Sequence, residues 1–145
     1  MPDPASFRIL PWASRTGWLL CDIYFPDGAP VPFSTRRLLQ QQIAALGEAG
    51  YAMSCGLEIE FHVFRLEDPK LSAGDSGQPA TPPSVGMLAH GFQYLTEIRA
   101  DEHEVITEII RREVLELGLP LRTVEVEFGP SQVEMTFHPM PALEA

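Results

Sequence analysis

The strongest structural signal of the sequence lies between residues 122 and 137, in Arg122-Thr-Val-Glu-Val-Glu-Phe-Gly-Pro-Ser-Gln-Val-Glu-Met-Thr-Phe137. Apolar and polar residues alternate in both halves of this stretch, which is the period of a half-buried strand. Gly129-Pro130-Ser131 separates the halves and has the composition of a turn. The stretch therefore predicts a β-hairpin with one apolar face and one acidic face.

Two glutamates flank the predicted turn. Glu127 precedes it and Glu134 follows it. If the polar faces of both strands point the same way, the two carboxylates meet at the mouth of the hairpin. Such an arrangement suits a hard divalent cation, because these ions take oxygen ligands.

A second acidic face is predicted upstream, in a strand over residues 51–66. Glu58 and Glu60 alternate there with apolar residues. If the sheet brings these two and the hairpin glutamates within ~5 Å, each pair repels by roughly 3 kcal/mol at an effective dielectric of 20. The cluster would then need cations, protons or a wider separation, and periodicity alone does not choose among them. An ordinary solvated face remains the alternative for each acidic pair.

The rest of the chain predicts the other elements of an α+β fold. We expect a strand from Gly17 to Phe25, and a helix from Arg36 to about Glu48 that is capped by Ser34 or Thr35. Residues 67–86 predict a loop, and 87–95 are ambiguous. A second helix is predicted to begin at Asp101, which with Glu104 resembles a capping box. This order favours a partial antiparallel sheet with helices on one face.

Composition narrows the class of partner. The chain has 145 residues, with 20 acidic against 10 basic side chains and a formal net charge of -10. Nucleic acid and anionic membranes would be repelled, so neither is expected as a partner. The N-terminus has no signal-peptide pattern, and we expect a cytoplasmic protein.

Two motifs resemble the glutamine synthetase family. Gly56-Leu-Glu58-Ile-Glu60-Phe61 is similar to its G-x-E-x-E-F strand, and Glu127-Phe-Gly-Pro-Ser-Gln132-Val-Glu134 is similar to its E-x-x-P-[GSA]-Q-x-E segment. The histidine-rich run that often precedes this second segment is here Arg122-Thr-Val-Glu-Val126. The resemblance implies that residues 1–33 form the end of a β-grasp-like N-terminal domain and the segment that leads into the catalytic domain. Residues 34–145 would form the first part of that catalytic domain.

The resemblance also implies a function and a metal site. The expected activity is an ATP-dependent ligation of glutamate to ammonia or another small amine, with Mg²⁺ or Mn²⁺ as cofactor and a homo-oligomer as the assembly. Glu60, Glu127 and Glu134 would bind one cation, and Glu58 would help to bind the other. No catalytic residue is assigned, and the nucleotide-contacting residues are unknown. We expect the chain alone to be inactive, because the family's further segments complete the site.

Two other interpretations stay open at this point. The chain could be a non-catalytic truncated module that binds cations or self-associates through an exposed sheet edge. It could also be a plain α+β domain whose acidic residues are solvated, with the motifs matching by chance.

Overall fold

A computed structural model describes residues 1–68, 70–92 and 94–143 of the chain. Pro69, Gln93 and the last two residues of the chain lie outside the described part. They fall within the predicted 67–86 loop, the 87–95 segment and the 34–145 domain. The chain folds into two compact units. The first contains residues 1–57, 112–121 and 137–143, and the second contains 58–111 and 122–136, within the described ranges.

The elements follow one another as short strands and two helices. The strands are β1 Arg8–Leu10, β2 Ala13–Trp18, β3 Ser54–Cys55, β4 Glu58–His62, β5 Phe64–Leu66, β6 Val85–Met87, β7 Leu121–Val126, β8 Gln132–Phe137 and β9 Met140–Pro141. The helices are α1 Thr35–Glu48 and α2 Glu97–Glu116, with short 3₁₀ turns at Pro4–Ser6 and Ala73–Asp75. The predicted α+β class is therefore observed.

The first unit contains α1 and two small antiparallel sheets, β1–β2 and β3–β9. Helix α1 begins as predicted, with Ser34 at its N-cap, although the Ser34 side chain makes no capping hydrogen bond. Gly50 follows the helix with φ +81°, a conformation that glycine adopts without steric cost. Arg36 on the first turn forms ion pairs with Asp3 and Asp22. These pairs join the helix to the N-terminal segment.

The predicted strand from Gly17 to Phe25 is wrong. Strand β2 ends at Trp18, and the rest of the segment makes only isolated bridges, Pro2 to Cys21 and Tyr24 to Pro30. A proline lacks the N–H that continues a ladder, so pairing with proline stops after one bridge. The apolar composition of this segment was therefore not enough to make it a strand.

The second unit is built on the predicted hairpin, which is confirmed. Strands β7 and β8 flank a turn closed by two backbone hydrogen bonds, Gln132 N to Gly129 O at 3.1 Å and Glu127 N to Gln132 O at 3.0 Å. Strand β4 joins them in a three-stranded sheet of order β4-β8-β7. Val126 and Val133 are buried on the apolar face of the hairpin, as the alternation predicts.

The single strand predicted over residues 51–66 is divided into three. Strands β3, β4 and β5 pair with β9, β8 and β6 respectively, so each short piece has a different partner. Between β4 and β5, the Val63 N–H donates to the carbonyl oxygen of Ser131 in the hairpin turn, at 3.0 Å. The period-2 pattern located the strand residues, but it did not show where the pairing changes.

Helix α2 begins one turn earlier than predicted. The Thr96 carbonyl accepts the first helical hydrogen bond, from Ala100 N at 3.0 Å, so Thr96 occupies the N-cap position. Asp101 lies inside the helix, and the predicted capping box with Glu104 is wrong. Glu97 in the first turn suits the positive end of the helix dipole.

Within the predicted 67–86 loop, the described residues contain only a 3₁₀ turn and the first residues of β6. No helix in the described part of the chain is long and apolar enough to cross a membrane. The predicted boundary between residues 33 and 34 stays a prediction.

Candidate metal centre

Three of the four predicted glutamates form a compact cluster. One carboxylate oxygen from each of Glu58, Glu60 and Glu134 lies within 4.8 Å of the other two. The sheet register explains this, because Glu60 on β4 stands directly opposite Glu134 on β8. Glu58 lies two residues before Glu60 and so projects from the same face of β4. We call these three residues the carboxylate cluster.

The fourth predicted residue, Glu127, lies beside the cluster. It directly follows β7, is half-buried, and accepts a hydrogen bond from the protonated Glu134 carboxyl. Burial, this hydrogen bond and the negative charge of Glu58 raise the pKa of Glu134 to about 7. Protons or a cation would relieve the same repulsion, so the site favours positive charge.

Gln132 holds one of the cluster carboxylates. Its Nε2 donates to Glu60 Oε2 at 2.6 Å, and its Oε1 accepts from the backbone N–H of Gly129 at 2.9 Å. The two bonds fix the orientation of the amide. Side chains of this kind position the ligands of metal sites. Gln132 was not among the predicted site residues, although the motif around Glu134 contains it.

Two further residues lie near the carboxylates and were also missed. The negative charge of Glu125 adds to the rise in the Glu134 pKa. Its place on the polar face of β7 was visible in the alternation. The pKa of the Tyr94 phenol is raised as well, first by the charge of Glu127 and then by burial. No pattern in the sequence indicated Tyr94, because it lies outside any regular element.

His62 continues the same face of β4 but makes a structural contact. Its Nδ1 donates to the carbonyl oxygen of Pro130 at 2.8 Å. His62 also lies over Phe64, with 6.1 Å between ring centroids and 11° between ring planes. The ring thereby supports the hairpin turn.

The chain has the fold of one part of a glutamine synthetase-type catalytic domain. A solved structure of GmaS in complex with ADP superposes with a TM-score of 0.69 at 26% identity, covering 99% of this chain and 30% of that one. The family model for the glutamine synthetase catalytic domain matches residues 32–145. The chain belongs to the glutamine synthetase family, and the predicted family and fold class are confirmed.

Two relatives illustrate the range within the family. A γ-glutamylanilide synthase of Acinetobacter sp. is 39% identical over 148 residues, covering all of this chain and 30% of the relative. The γ-glutamylethanolamide synthetase GlnA4 of Streptomyces coelicolor is 31% identical over 138 residues, covering 93% of this chain and 28% of the relative. The chain therefore spans less than a third of the length of either relative.

Proposed function

We propose that this chain contributes divalent-cation ligands to an ATP-dependent ligase that joins the γ-carboxylate of glutamate to an amine. One observation carries the proposal: Glu58, Glu60 and Glu134 lie within 4.8 Å of one another on the two motifs typical of the family. Three crowded carboxylates are costly in a fold unless they hold a cation or a proton.

The donor set fits a hard cation. All three groups of the carboxylate cluster are carboxylate oxygens, and no histidine or cysteine is part of it. Mg²⁺ and Mn²⁺ prefer such ligands, and Mg²⁺ keeps several waters when few carboxylates bind it. By the family resemblance, Glu60, Glu127 and Glu134 would hold one cation and Glu58 would help to hold a second.

The chemistry of the reaction explains why a cation is needed. In the proposed reaction, an oxygen of the glutamate γ-carboxylate attacks the terminal phosphorus of ATP and releases ADP. The amine nitrogen then attacks the activated carbonyl carbon, which releases phosphate and a proton. Divalent cations supply charge neutralisation for the phosphate oxygens and hold the reacting oxygens in line. The glutamates of this chain would hold these ions in position, with Gln132 orienting Glu60.

We propose an organic amine as the acceptor. The two relatives described above are named for γ-glutamylanilide and γ-glutamylethanolamide. The family relationship likewise supports glutamate and ATP as the other substrates, and a homo-oligomer as the working assembly.

A second candidate, self-association of the chain, is favoured by its surface. Phe33, Ile98 and Val105 each expose more than 70% of their area. Exposed apolar surface of this kind drives association. A polydisperse chain that does not bind Mn²⁺ would favour this candidate over the ligase.

Direct titration with Mn²⁺ tests the metal proposal. Mn²⁺ should raise the relaxation rate of water protons more strongly when it is bound to the 145-residue chain than when it is free. Glu134→Gln should abolish this extra increase. Glu104→Gln is the control, because it removes an exposed glutamate of α2. Binding that survives Glu134→Gln and Glu60→Gln unchanged would overturn the proposal.

A further inference from the structure

An exposed pair of aromatic rings lies next to the glutamate at the end of β7. Phe92 and Phe128 expose 63% and 56% of their area. Their ring centroids are 5.9 Å apart and the ring planes meet at 84°, an edge-to-face contact. The alternation of apolar residues Val124, Val126 and Phe128 predicts that all three lie on the buried face. The structure instead turns Phe128 outward, because the strand ends at Val126.

The backbone holds this aromatic pair in place at some cost. Phe92 N donates to Phe128 O at 2.8 Å, which ties the two segments together. Phe92 has φ 62°, a left-handed conformation that is rare and costly for a bulky residue. Gly91 before it has φ +76° and packs so closely that a Cβ would lie 2.5 Å from the nitrogen of Pro130. Strain of this kind persists only where surrounding contacts enforce it, and it is concentrated at functional sites.

The aromatic pair is adjacent to the candidate metal centre. Phe128 directly follows Glu127, and its N–H donates to Glu127 Oε2 at 3.4 Å. Glu127 in turn shares a hydrogen bond with Glu134 of the carboxylate cluster. Tyr94, two residues beyond Phe92, is 54% exposed and lies in the electrostatic field of Glu127. The backbone that carries the aromatic pair therefore lies beside a carboxylate that contacts the carboxylate cluster.

We propose that Phe92 and Phe128 bind the ring of an aromatic amine substrate and so select the acceptor of the ligation. Two rings at nearly a right angle form a corner that accepts a third ring, stacked on one and edge-on to the other. The Glu127 carboxylate accepts a hydrogen bond from the amine N–H, which leaves the nitrogen lone pair free to attack the activated carbonyl carbon. This inference rests on the proposed function and names its amine class.

Fluorine NMR of 4-fluoroaniline in the presence of the chain and Mg²⁺ tests the proposal. The chain should broaden the probe signal, and Phe128→Ala should weaken the binding by about three- to tenfold. Phe128→Leu keeps the residue apolar but removes the ring, and it should weaken binding similarly. Phe33→Ala is the matched control, since Phe33 is 72% exposed and belongs to the first unit. Circular dichroism verifies that each variant is folded.

Replacing Mg²⁺ with Mn²⁺ tests the proximity to the metal. Bound Mn²⁺ should add paramagnetic relaxation to the fluorine signal, and either Glu134→Gln or Phe128→Leu should remove this addition. Equal broadening by the parent chain and both Phe128 variants would overturn the proposal. Competition by neutral cyclohexanol as strong as that by neutral phenol would also overturn it, because the site would then not select a ring with π electrons.

The same experiments separate this inference from the proposed function. In one outcome, the chain binds Mn²⁺ normally and broadens the fluorine signal in a way that depends on Phe128, yet Mn²⁺ adds no paramagnetic relaxation. That combination would mean that the ring binds away from the metal. That result overturns the amine site alone. If the relaxation rate of water protons shows no Mn²⁺ binding in the absence of any amine, the proposed function is overturned, and the amine site with it.

Discussion

Glu60 and Glu134 stand directly opposite each other on adjacent antiparallel strands. Like charges at such positions destabilise a sheet, because directly opposed side chains are close neighbours. Gln132 stabilises one of the two carboxylates by a hydrogen bond of 2.6 Å, and the other has its pKa raised to about 7. The arrangement is therefore costly to the fold unless a proton or a cation neutralises part of the charge.

The metal-free chain should lose stability as the pH rises from 5 to 8. The pKa of Glu134 is about 7 in the folded chain and 4.5 in the unfolded reference. The folded state therefore binds the proton more tightly, and the stability that this proton contributes is lost as the pH rises through 7. Glu134→Gln should flatten this part of the profile of thermal midpoint against pH. Glu104→Gln serves as the control, and an unchanged slope in Glu134→Gln would contradict the prediction.

Removing one of the opposed charges should stabilise the metal-free fold while weakening the binding of metal. At pH 8, Glu60→Gln should add about 0.2–1 kcal/mol of unfolding free energy in a chelator, because the like-charge pair is lost. The amide oxygen of the new residue can still accept from Gln132. Millimolar Mn²⁺ should then raise the midpoint of the parent chain but not that of the variant. If the variant keeps the full metal-induced shift, Glu60 is not a ligand.

Gln132 should matter for metal affinity although it is not predicted to touch the cation. Gln132→Ala removes the hydrogen bond to Glu60 and the acceptor for the Gly129 N–H. Loss of such supporting side chains typically costs about 10–100-fold in metal affinity. Calorimetric titration with Mn²⁺ measures this change. Gln42→Ala, an exposed position on α1, is the control. Equal affinity in the two variants would show that Glu60 needs no support.

Gly91 should not tolerate a side chain. Gly91→Ala combines a left-handed conformation with a Cβ 2.5 Å from the backbone nitrogen of Pro130. The left-handed backbone conformation alone lowers the free energy of unfolding of the variant by about 1–2 kcal/mol. The clash of the new Cβ with Pro130 lowers it further. Urea unfolding should therefore show a lower midpoint. Gly77→Ala has open space around the new Cβ and should leave the midpoint nearly unchanged.

The 145-residue chain alone should form no γ-glutamyl amide from glutamate, ATP and an amine. It spans about 30% of the length of the relatives that it matches, and their remaining residues would complete the positioning of the substrates. Incubation with Mg²⁺ and ATP, followed by assay of ADP and amide, tests this expectation. Turnover that disappears in Glu134→Gln would contradict it.

Local patterns predicted the hairpin over residues 122–137 and placed Glu127 and Glu134 on the polar sides of its strands, while leaving open whether those sides face the same way. Both depend on the alternation of side chains and on turn residues, which act between close neighbours in sequence. The same reasoning failed for the segment from Gly17 to Phe25, where the pairing partners are prolines. It also failed at the start of α2, where Thr96 rather than Asp101 occupies the cap position.

The sequence by itself determined the strand faces and the four glutamates that could gather on them. Only the tertiary structure decided which of them meet: Glu58, Glu60 and Glu134 in one cluster, with Glu127 hydrogen-bonded beside it. It also decided that Gln132 supports Glu60 and that Phe128 turns outward beside Phe92. Gln132 and Glu60 are 72 residues apart in the chain, and their contact depends on the register between β4 and β8. Register arises from long-range packing of the apolar face, which no local period encodes.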